Sequence, residues 1–211
     1  MSSTPSIEKV LAMAIEARLF DVHTCLPVVV ESYDPGTETV SVKPALKRKY
    51  EDGSIVELPL ILNVPVMFPR GEKASITFPI KKGNSGFVVF SERSLDVWKS
   101  KGGVVDPNDP RKFNMTDAIF FPGGYPKTTP SGRATADKFR ITHGASEIEM
   151  TDAAKFKVGK VDGDELFDLV SQLLQALLDA KTNTAIGPMP FWTNTITVLT
   201  QIKTKLDALK G

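Results

Sequence analysis

The distribution of proline along this 211-residue chain constrains its fold more than any other sequence feature. Thirteen of the 15 prolines lie at or before Pro130, and the next one is Pro188. Proline lacks a backbone N–H and is excluded from helix interiors and central strands, so residues 27–130 must be rich in turns and sheet edges. Residues 131–187 are free to form uninterrupted regular structure. The chain therefore divides into a turn-rich region and a more regular C-terminal region.

Charge and cysteine content exclude several classes of protein. The chain has 26 Lys and Arg against 25 Asp and Glu, a formal net charge of +1, which argues against a main role in wrapping nucleic acid or coating an anionic membrane. It has no apolar run of about 18 residues and no secretory signal at its N-terminus. A single cysteine, Cys25, excludes an internal disulfide framework. We expect a soluble protein that is made in the cytoplasm.

Residues 1–21 are predicted to contain an N-terminal helix. Ile7, Val10 and Leu11 begin a set of apolar residues at three- and four-residue spacing that continues to Leu19. Ser6 is suited to cap the start of this helix. We interpret it as an amphipathic helix that packs on the rest of the protein.

Residues 22–125 are predicted to form a five-stranded OB-type β-barrel. Short apolar or alternating runs are separated by turn residues every 8–12 positions, which favours a small antiparallel barrel over a parallel α/β sheet. Asp52-Gly53 predicts a tight hairpin between two of the runs. Ser94–Lys99 is predicted to add one helical turn. The predicted strands are Val28–Tyr33, Thr39–Lys43, Lys47–Tyr50, Ile55–Leu58, Ala74–Ile80 and Phe87–Ser91.

Residues 126–138 have the composition of a linker, and residues 139–161 alternate like strands but have little to bury. The turn between the strands is predicted at residues 152–154. The apolar side chains share one face, whereas Glu147, Glu149 and nearby lysines lie on the other. Because an isolated hairpin of this size is marginal in water, either it packs on the barrel or identical copies cover one another's apolar faces. The long polar linker favours the second option.

Residues 162–211 are predicted to form a helical hairpin that is broken near Gly187-Pro188. The first helix has an apolar stripe too broad for one partner helix, and the second repeats apolar residues at coiled-coil spacing. Two wide apolar faces beside a strand unit that is unstable alone indicate an oligomer. The predicted interface residues are Ile148, Met150, Phe156, Val158, Leu166, Val170, Leu173, Leu177, Ile196, Leu199, Ile202 and Leu206.

A search for catalytic and ligand-binding motifs yields no catalytic, cofactor-binding or metal-binding residues. The sequence contains no zinc-protease, phosphate-loop or hydrolase-elbow motif, and no carboxylate pair is suited to acid–base work. His23 and Cys25 lack further ligands for a zinc site, so local packing is favoured. His143 is interpreted as a surface or interface histidine, in preference to a three-fold ring that binds an ion. Lys47–Tyr50 is interpreted as a solvated strand rather than a nucleic-acid patch.

An ordered set of motifs across residues 8–125 resembles the N-terminal OB domain of bacteriophage membrane-puncturing spike proteins. The set begins with the stretch Val40–Leu58. It also includes the stretch Ser91–Trp98, which ends in a tryptophan. The remaining motifs are Val64–Gly71, Thr77–Pro79, Lys82–Gly86, Gly102-Gly103, Asp109–Arg111 and Asp117–Gly123. Proteins of this family are central spikes of contractile-tail baseplates.

The resemblance implies a mainly β homotrimer with helical ends, joined by a short intertwined β-prism or β-helix over residues 139–161. Such a trimer would attach to the baseplate hub in the virion and be driven through the host outer membrane when the sheath contracts. It would be a structural protein, not an enzyme, and no nucleic-acid partner or cofactor is expected. Many such spikes hold iron through closely spaced histidines, but this sequence has no H-x-H motif.

The C-terminal helices depart from the family, and we expect three hairpins to form a six-helix bundle. Phe191 and Trp192 are the candidates for docking a separate tip protein. An alternative is an OB-type module that binds oligosaccharide or single-stranded nucleic acid, displayed on an oligomerising stalk. A cell-wall-degrading spike is a third class, but the chain has no spare segment large enough for an inserted lysozyme domain.

Overall fold

The structure is a computed structural model, and it describes residues 6–50, 52–153, 155–184, 187–190 and 193–209. Its contacts divide the chain into two compact units, unit 1 over Met1–Pro130 and unit 2 over Ser131–Gly211. The helices are α1 (Ile7–Phe20), α2 (Asp96–Lys101), α3 (Leu166–Asp179) and α4 (Thr193–Leu209). The strands are β1 (Cys25–Asp34), β2 (Thr39–Pro44), β3 (Arg48–Lys49), β4 (Ile55–Val56), β5 (Ile61–Pro65), β6 (Ser85–Phe90), β7 (Ala118–Pro122), β8 (Lys138–His143), β9 (Ser146–Thr151), β10 (Phe156–Lys160), β11 (Lys181–Thr184) and β12 (Gly187–Pro190).

Unit 1 is built on a curled five-stranded sheet with the order β5-β2-β1-β6-β7. All neighbouring strands in this sheet are antiparallel. The two edges approach each other where Val66 forms a parallel bridge with Phe120, and the Met67 N–H donates to the Phe120 carbonyl at 2.8 Å. The sheet therefore curls into the barrel-like shape that the spacing of the strands predicts.

The hydrophobic core of unit 1 lies inside this curled sheet. Alternate residues of each strand point inward, as the burial of Val28 and Val30 on β1 and of Val40 and Val42 on β2 shows. Phe120 on β7 is fully buried at the centre. The remaining core residues are Ile61, Val64, Phe68, Ile80, Val88, Phe90 and Ala118.

The strand predicted over Ala74–Ile80 is wrong. Only Ser75 forms a bridge, with Arg70, and the rest of the segment is irregular. The backbone turns back on itself, since the Ile76 N–H donates to the Pro69 carbonyl at 2.9 Å. Pro79 also lacks the N–H that a ladder would need. Ile80 is nevertheless buried in the core, whereas Ile76 and Phe78 of the same apolar pattern are exposed.

The Asp52-Gly53 hairpin is confirmed, with Arg48 opposite Val56 and Lys49 opposite Ile55. Gly53 adopts a left-handed φ of +85°, which a residue without Cβ reaches at little cost. Ser6 caps α1 as predicted, accepting the Lys9 N–H at 3.4 Å. None of the α1 side chains is buried, and the helix packs on unit 1 at its end, where the Phe20 ring lies 5.5 Å from that of Tyr50 and 4.4 Å from Arg48.

Unit 2 contains the three-stranded antiparallel sheet β10-β9-β8, followed by two helices. A two-stranded hairpin is predicted over residues 139–161, and the structure has three strands there. The two predicted helices are confirmed as α3 and α4, but a second hairpin, β11–β12, joins them where only a break was predicted. The predicted fold class, mainly β with helices at both ends, is confirmed, whereas the homotrimer stays a prediction.

Candidate functional site

The charged face of the unit 2 sheet consists of Lys138, Arg140, Glu147, Glu149 and Lys157. Glu149 accepts from Lys138 Nζ at 2.9 Å and from Arg140 Nε at 2.6 Å. Glu147 is paired with Lys157 Nζ at 2.8 Å. Both glutamates are buried under these partners, although strand alternation places them on the polar side of the sheet. A charged network of this kind is stable only because every carboxylate has a cationic partner.

Ionisation in the charged face follows this pairing. The hydrogen bond from Lys138 lowers the pKa of Glu149, burial opposes this, and the Arg140 contact lowers it further. The hydrogen bond to Glu147 raises the pKa of Lys157, and burial partly offsets the rise. Both shifts favour the charged forms of Glu149 and Lys157, and protonating Glu149 would remove its attraction for two cations.

The apolar face of the same sheet consists of Phe139, Ile141, Ile148, Met150, Phe156 and Val158. The registers place Phe139, Met150 and Phe156 in one row across the three strands, and Ile141, Ile148 and Val158 in the next. Phe139 and Ile141 are each 56% exposed, and Ile148 is 41% exposed. The sheet is therefore inverted relative to an ordinary surface sheet, because its charged side is covered and its apolar side is open.

Helix α3 extends this apolar surface. One stripe lies toward α4, where Ser171 is buried and its Oγ donates to Asp207 Oδ1 at 2.7 Å. A second stripe is exposed, with Leu173 60% accessible. An open groove of about 620 Å³ connects the apolar face to the start of this stripe, lined by Ile148 and Leu166 among others. The second stripe consists of Leu166, Leu169, Val170, Leu173 and Leu177.

Unit 2 has no hydrophobic core in the part of the chain that the structure describes. Every buried hydrophobic residue there belongs to unit 1, and the buried residues of unit 2 are Glu147, Glu149, Glu165 and Ser171. Burial of apolar surface is the main favourable contribution to folding, so a unit of about eighty residues without it is unstable alone. The apolar face and the second stripe together form the candidate functional site, an apolar surface that is open in the described part of unit 2.

Most of the predicted interface residues lie on this open surface. Ile148 and Phe156 of the sheet are exposed, and Met150 and Val158 are partly buried. The four predicted residues of α3 all belong to the second stripe. On α4, Ile202 is exposed, whereas Ile196, Leu199 and Leu206 are half-buried. Phe191 and Trp192 lie outside the described residues.

His143 is exposed at the end of β8 and lies opposite Ser146. It shares the rim of the groove on the apolar face with Lys160. Within the described residues, no group of three or more His, Cys, Asp or Glu side chains is arranged to hold a metal ion.

Sequence reasoning missed the burial of the charged face. The spacing places Glu147 and Glu149 correctly on one side of the strand, but it does not show that the two glutamates are buried. The cations opposite them come partly from β8, which the sequence reading did not separate as a strand. The alternation of Lys138 and Arg140 with apolar residues was the pattern from which the pairing could have been found.

A second charged cluster in unit 1 surrounds Arg111. Its guanidinium donates to both oxygens of Asp117, at 2.7 and 2.8 Å, and also to Asp109 at 2.8 Å and Asp96 at 2.7 Å. The Asp117 side chain is buried, and it also accepts the Leu95 N–H at 2.8 Å. These bonds tie the start of α2 and the loop before β7 together, so we interpret the cluster as structural.

The other residues considered for chemistry have structural contacts. His23 packs on Phe90 with ring centroids 5.5 Å apart, and burial lowers its pKa. Cys25 is a free, exposed thiol on β1. Arg48 lies 4.4 Å over the Phe20 ring, so part of the basic run at 47–50 is engaged within unit 1. No helix in the described ranges is long and apolar enough to cross a membrane.

Comparison with known families finds a match in unit 1. Residues 26–123, just under half of the chain, match the family described as Phage protein Gp138 N-terminal domain. The matched segment starts in β1 and ends just after β7, so it spans the curled sheet. None of the curated proteins matches the chain. The similarity supports a structural role in a phage and a place in the virion.

Proposed function

We propose that this chain is the central spike of a contractile phage tail baseplate. In this proposal three copies form a stiff rod that attaches to the baseplate hub below the tail tube. Contraction of the sheath drives the rod through the host outer membrane, so the chain itself needs rigidity and no catalytic group. The observation that carries the proposal is the open apolar face above a buried charged face, in a chain whose first unit is similar to a phage protein domain.

The inverted sheet of unit 2 is suited to one side of a three-sided prism. Three such sheets can place their apolar faces toward a common axis and their charged faces outward. Each large apolar side chain covered in this way contributes about 1.5–3 kcal/mol. The charged face needs no further partner, because Glu147 and Glu149 are already paired within each subunit. This arrangement satisfies both faces at once.

The helices extend the same interface. The second stripe of α3 leads on from the apolar face through the groove at Leu166. Three copies of α3 and α4 would cover it as a six-helix bundle at the C-terminal end of the rod. Phe191 and Trp192, at the connection between these helices, remain our candidates for docking a separate tip protein.

The first test is the mass of the full chain in solution. Sedimentation velocity should give about 69 kDa, three times the 23.0 kDa of one chain. Ile148→Asp should dissociate the assembly, because a carboxylate would be buried without a partner. Val104→Asp is the matched control, since Val104 is fully exposed in unit 1. A folded 23 kDa monomer of the parent chain would refute the proposed trimer.

The second test concerns position and role in the phage. Antibody labelling of particles should place the chain at the distal end of the tail. Deleting residues 162–211 should leave a trimer joined through the strands but abolish infectivity or recruitment of the tip. Labelling of the capsid, or full infectivity of the deleted phage, would contradict the spike assignment.

A further inference from the structure

A groove of about 560 Å³ opens at one end of the curled sheet in unit 1. It lies between the β1–β2 turn on one side and α2, in the connection from β6 to β7, on the other. Strands β2 and β5 contribute its floor through Thr39 and Pro65. The volume is within the range of small-ligand sites, about 300–1,000 Å³. Neither the predicted spike role nor the core of unit 1 uses this groove.

Trp98 of α2 lines the groove and is 42% exposed. Tryptophan is large and mostly buried in folded proteins. A half-exposed indole beside a concavity therefore indicates a binding surface more strongly than a single exposed apolar residue does. Pro65 and Val66 add apolar surface below it. The indole therefore offers a flat platform on which a ring can stack.

Two residues on the rim have a left-handed backbone conformation, which asparagine adopts readily and glutamate does not. Glu38 has φ +52° and Asn63 has φ +53°, and both line the groove. Glycine would adopt this left-handed region without strain, whereas glutamate does so at a cost. The Glu38 carbonyl accepts the Val66 N–H at 2.9 Å, which holds the turn in place. Glu38 lines the groove, and its carboxylate accepts from the Arg70 guanidinium at 3.4 Å.

The charges around the groove favour a neutral, polar ligand. Arg70 pairs with Glu38 at 3.4 Å, and Lys99 Nζ donates to the Thr116 carbonyl at 3.2 Å. A groove for single-stranded nucleic acid carries a basic track and several stacking aromatics. This one offers a single aromatic, a paired arginine and a lysine that is already engaged, together with hydroxyl and amide groups.

We infer that this groove binds a neutral oligosaccharide, with Trp98 stacking on a sugar ring and Glu38, Asn63 and Arg70 bonding its hydroxyls. In chain order, β2 and β5 are the second and third strands of the five-stranded sheet, and they are neighbours at one edge of it. In barrels of this architecture that face and the flanking loops take oligosaccharides or oligonucleotides. The inference does not depend on the trimer, because every lining residue belongs to unit 1.

Isothermal titration calorimetry on the full chain tests the inference. The probes are maltohexaose, cellohexaose and chitohexaose, with the oligonucleotide dT12 as the competing class. At least one sugar should bind saturably, and dT12 should not. Trp98→Ala and Arg70→Ala should each weaken that binding by tenfold or more. Arg70 is an exposed side chain, so its truncation tests the groove even if Trp98→Ala fails to fold. Tyr50→Ala, an exposed aromatic outside the groove, is the matched control and should bind normally.

Three results would overturn the inference. They are the absence of binding to all three sugars, an affinity for dT12 above that for every sugar, or unchanged sugar binding in the folded Trp98→Ala or Arg70→Ala variant. None of these results bears on the mass of the assembly. Failure of the sugar site and failure of the proposed spike function are therefore distinguishable.

Discussion

Arg111→Met should destabilise unit 1 strongly, because Arg111 neutralises a carboxylate that is buried behind it. Only 1% of the Asp117 side chain is exposed, and Arg111 donates to both of its oxygens at 2.7 and 2.8 Å. After the substitution, one hydrogen bond from the Leu95 N–H would remain. Removing one partner of a buried ion pair costs about 3–5 kcal/mol. We expect a loss in that range at pH 7, a large fraction of a typical free energy of unfolding.

The loss should shrink in acid, because it depends on the charge of Asp117. In the parent protein burial raises the pKa of Asp117, but the hydrogen bonds from Arg111 and Leu95 outweigh this and lower it. That stabilisation is present above the unfolded pKa of about 3.9 and is lost as pH falls through the lower folded value. Without Arg111, only the Leu95 hydrogen bond and the charge of Lys99 oppose burial, so the pKa of Asp117 should rise and protonation should relieve the variant first. The two proteins should therefore differ less at pH 4 than at pH 7.

Urea unfolding of the full chain, followed by Trp98 fluorescence in a Trp192→Phe background, measures this difference. Arg93→Met is the matched control, since Arg93 forms an exposed ion pair at 3.2 Å that is worth less than about 1 kcal/mol. A loss below about 1 kcal/mol for Arg111→Met would refute the reasoning. A loss that is equal at pH 4 and pH 7 would do the same, because the cost could then not come from an uncompensated carboxylate.

Other consequences of the structure can be measured in the same way. Gly86→Ala should cost about 1–3 kcal/mol in urea unfolding, because its Cβ would lie 2.5 Å from a backbone carbonyl oxygen, whereas Gly71→Ala has open space and should be near neutral. Glu149→Gln should flatten the pH dependence of the far-UV melting temperature below pH 5, since the lowered pKa of Glu149 makes its stabilisation vanish as pH falls; an unchanged profile would contradict this. Ser171→Ala should lower that melting temperature by leaving Asp207 without a 2.7 Å bond, at a cost of about 1 kcal/mol, and no change would show that the bond contributes nothing.

Local pattern was enough to predict much of unit 1. The Asp52-Gly53 turn, the Ser6 cap and the alternating residues of β1 and β2 involve neighbours in sequence, whose geometry depends on a few bonds. The segment Ala74–Ile80 was assigned wrongly because its backbone bonds within a loop, and Ile76 and Phe78 are exposed although they alternate as in a half-buried strand. Periodicity in a sequence does not show whether the residues pair in a sheet or are covered at all.

The candidate site was predicted less completely. The apolar residues of the strands and helices in unit 2 were identified from their spacing. The same spacing of apolar residues occurs on a face buried in a core and on a face that contacts a partner, so it did not show which kind of face this is. The pairing of Glu149 with two cations from β8 joins residues nine and eleven positions apart, and it requires the strand register. The groove at Trp98 was not anticipated at all, since its walls come from β2, β5 and α2.

The amino-acid sequence alone determined where regular structure could form, which residues were apolar, and that the last eighty residues had more apolar surface than they could cover. These properties follow from proline chemistry and from the periods of helix and strand, which act over a few residues. Tertiary structure alone decided that the charged side of the unit 2 sheet is the covered one, and that Trp98, Glu38 and Asn63 meet around one groove. Such juxtapositions depend on strand order and register, and residues distant in sequence acquire them only when the chain folds.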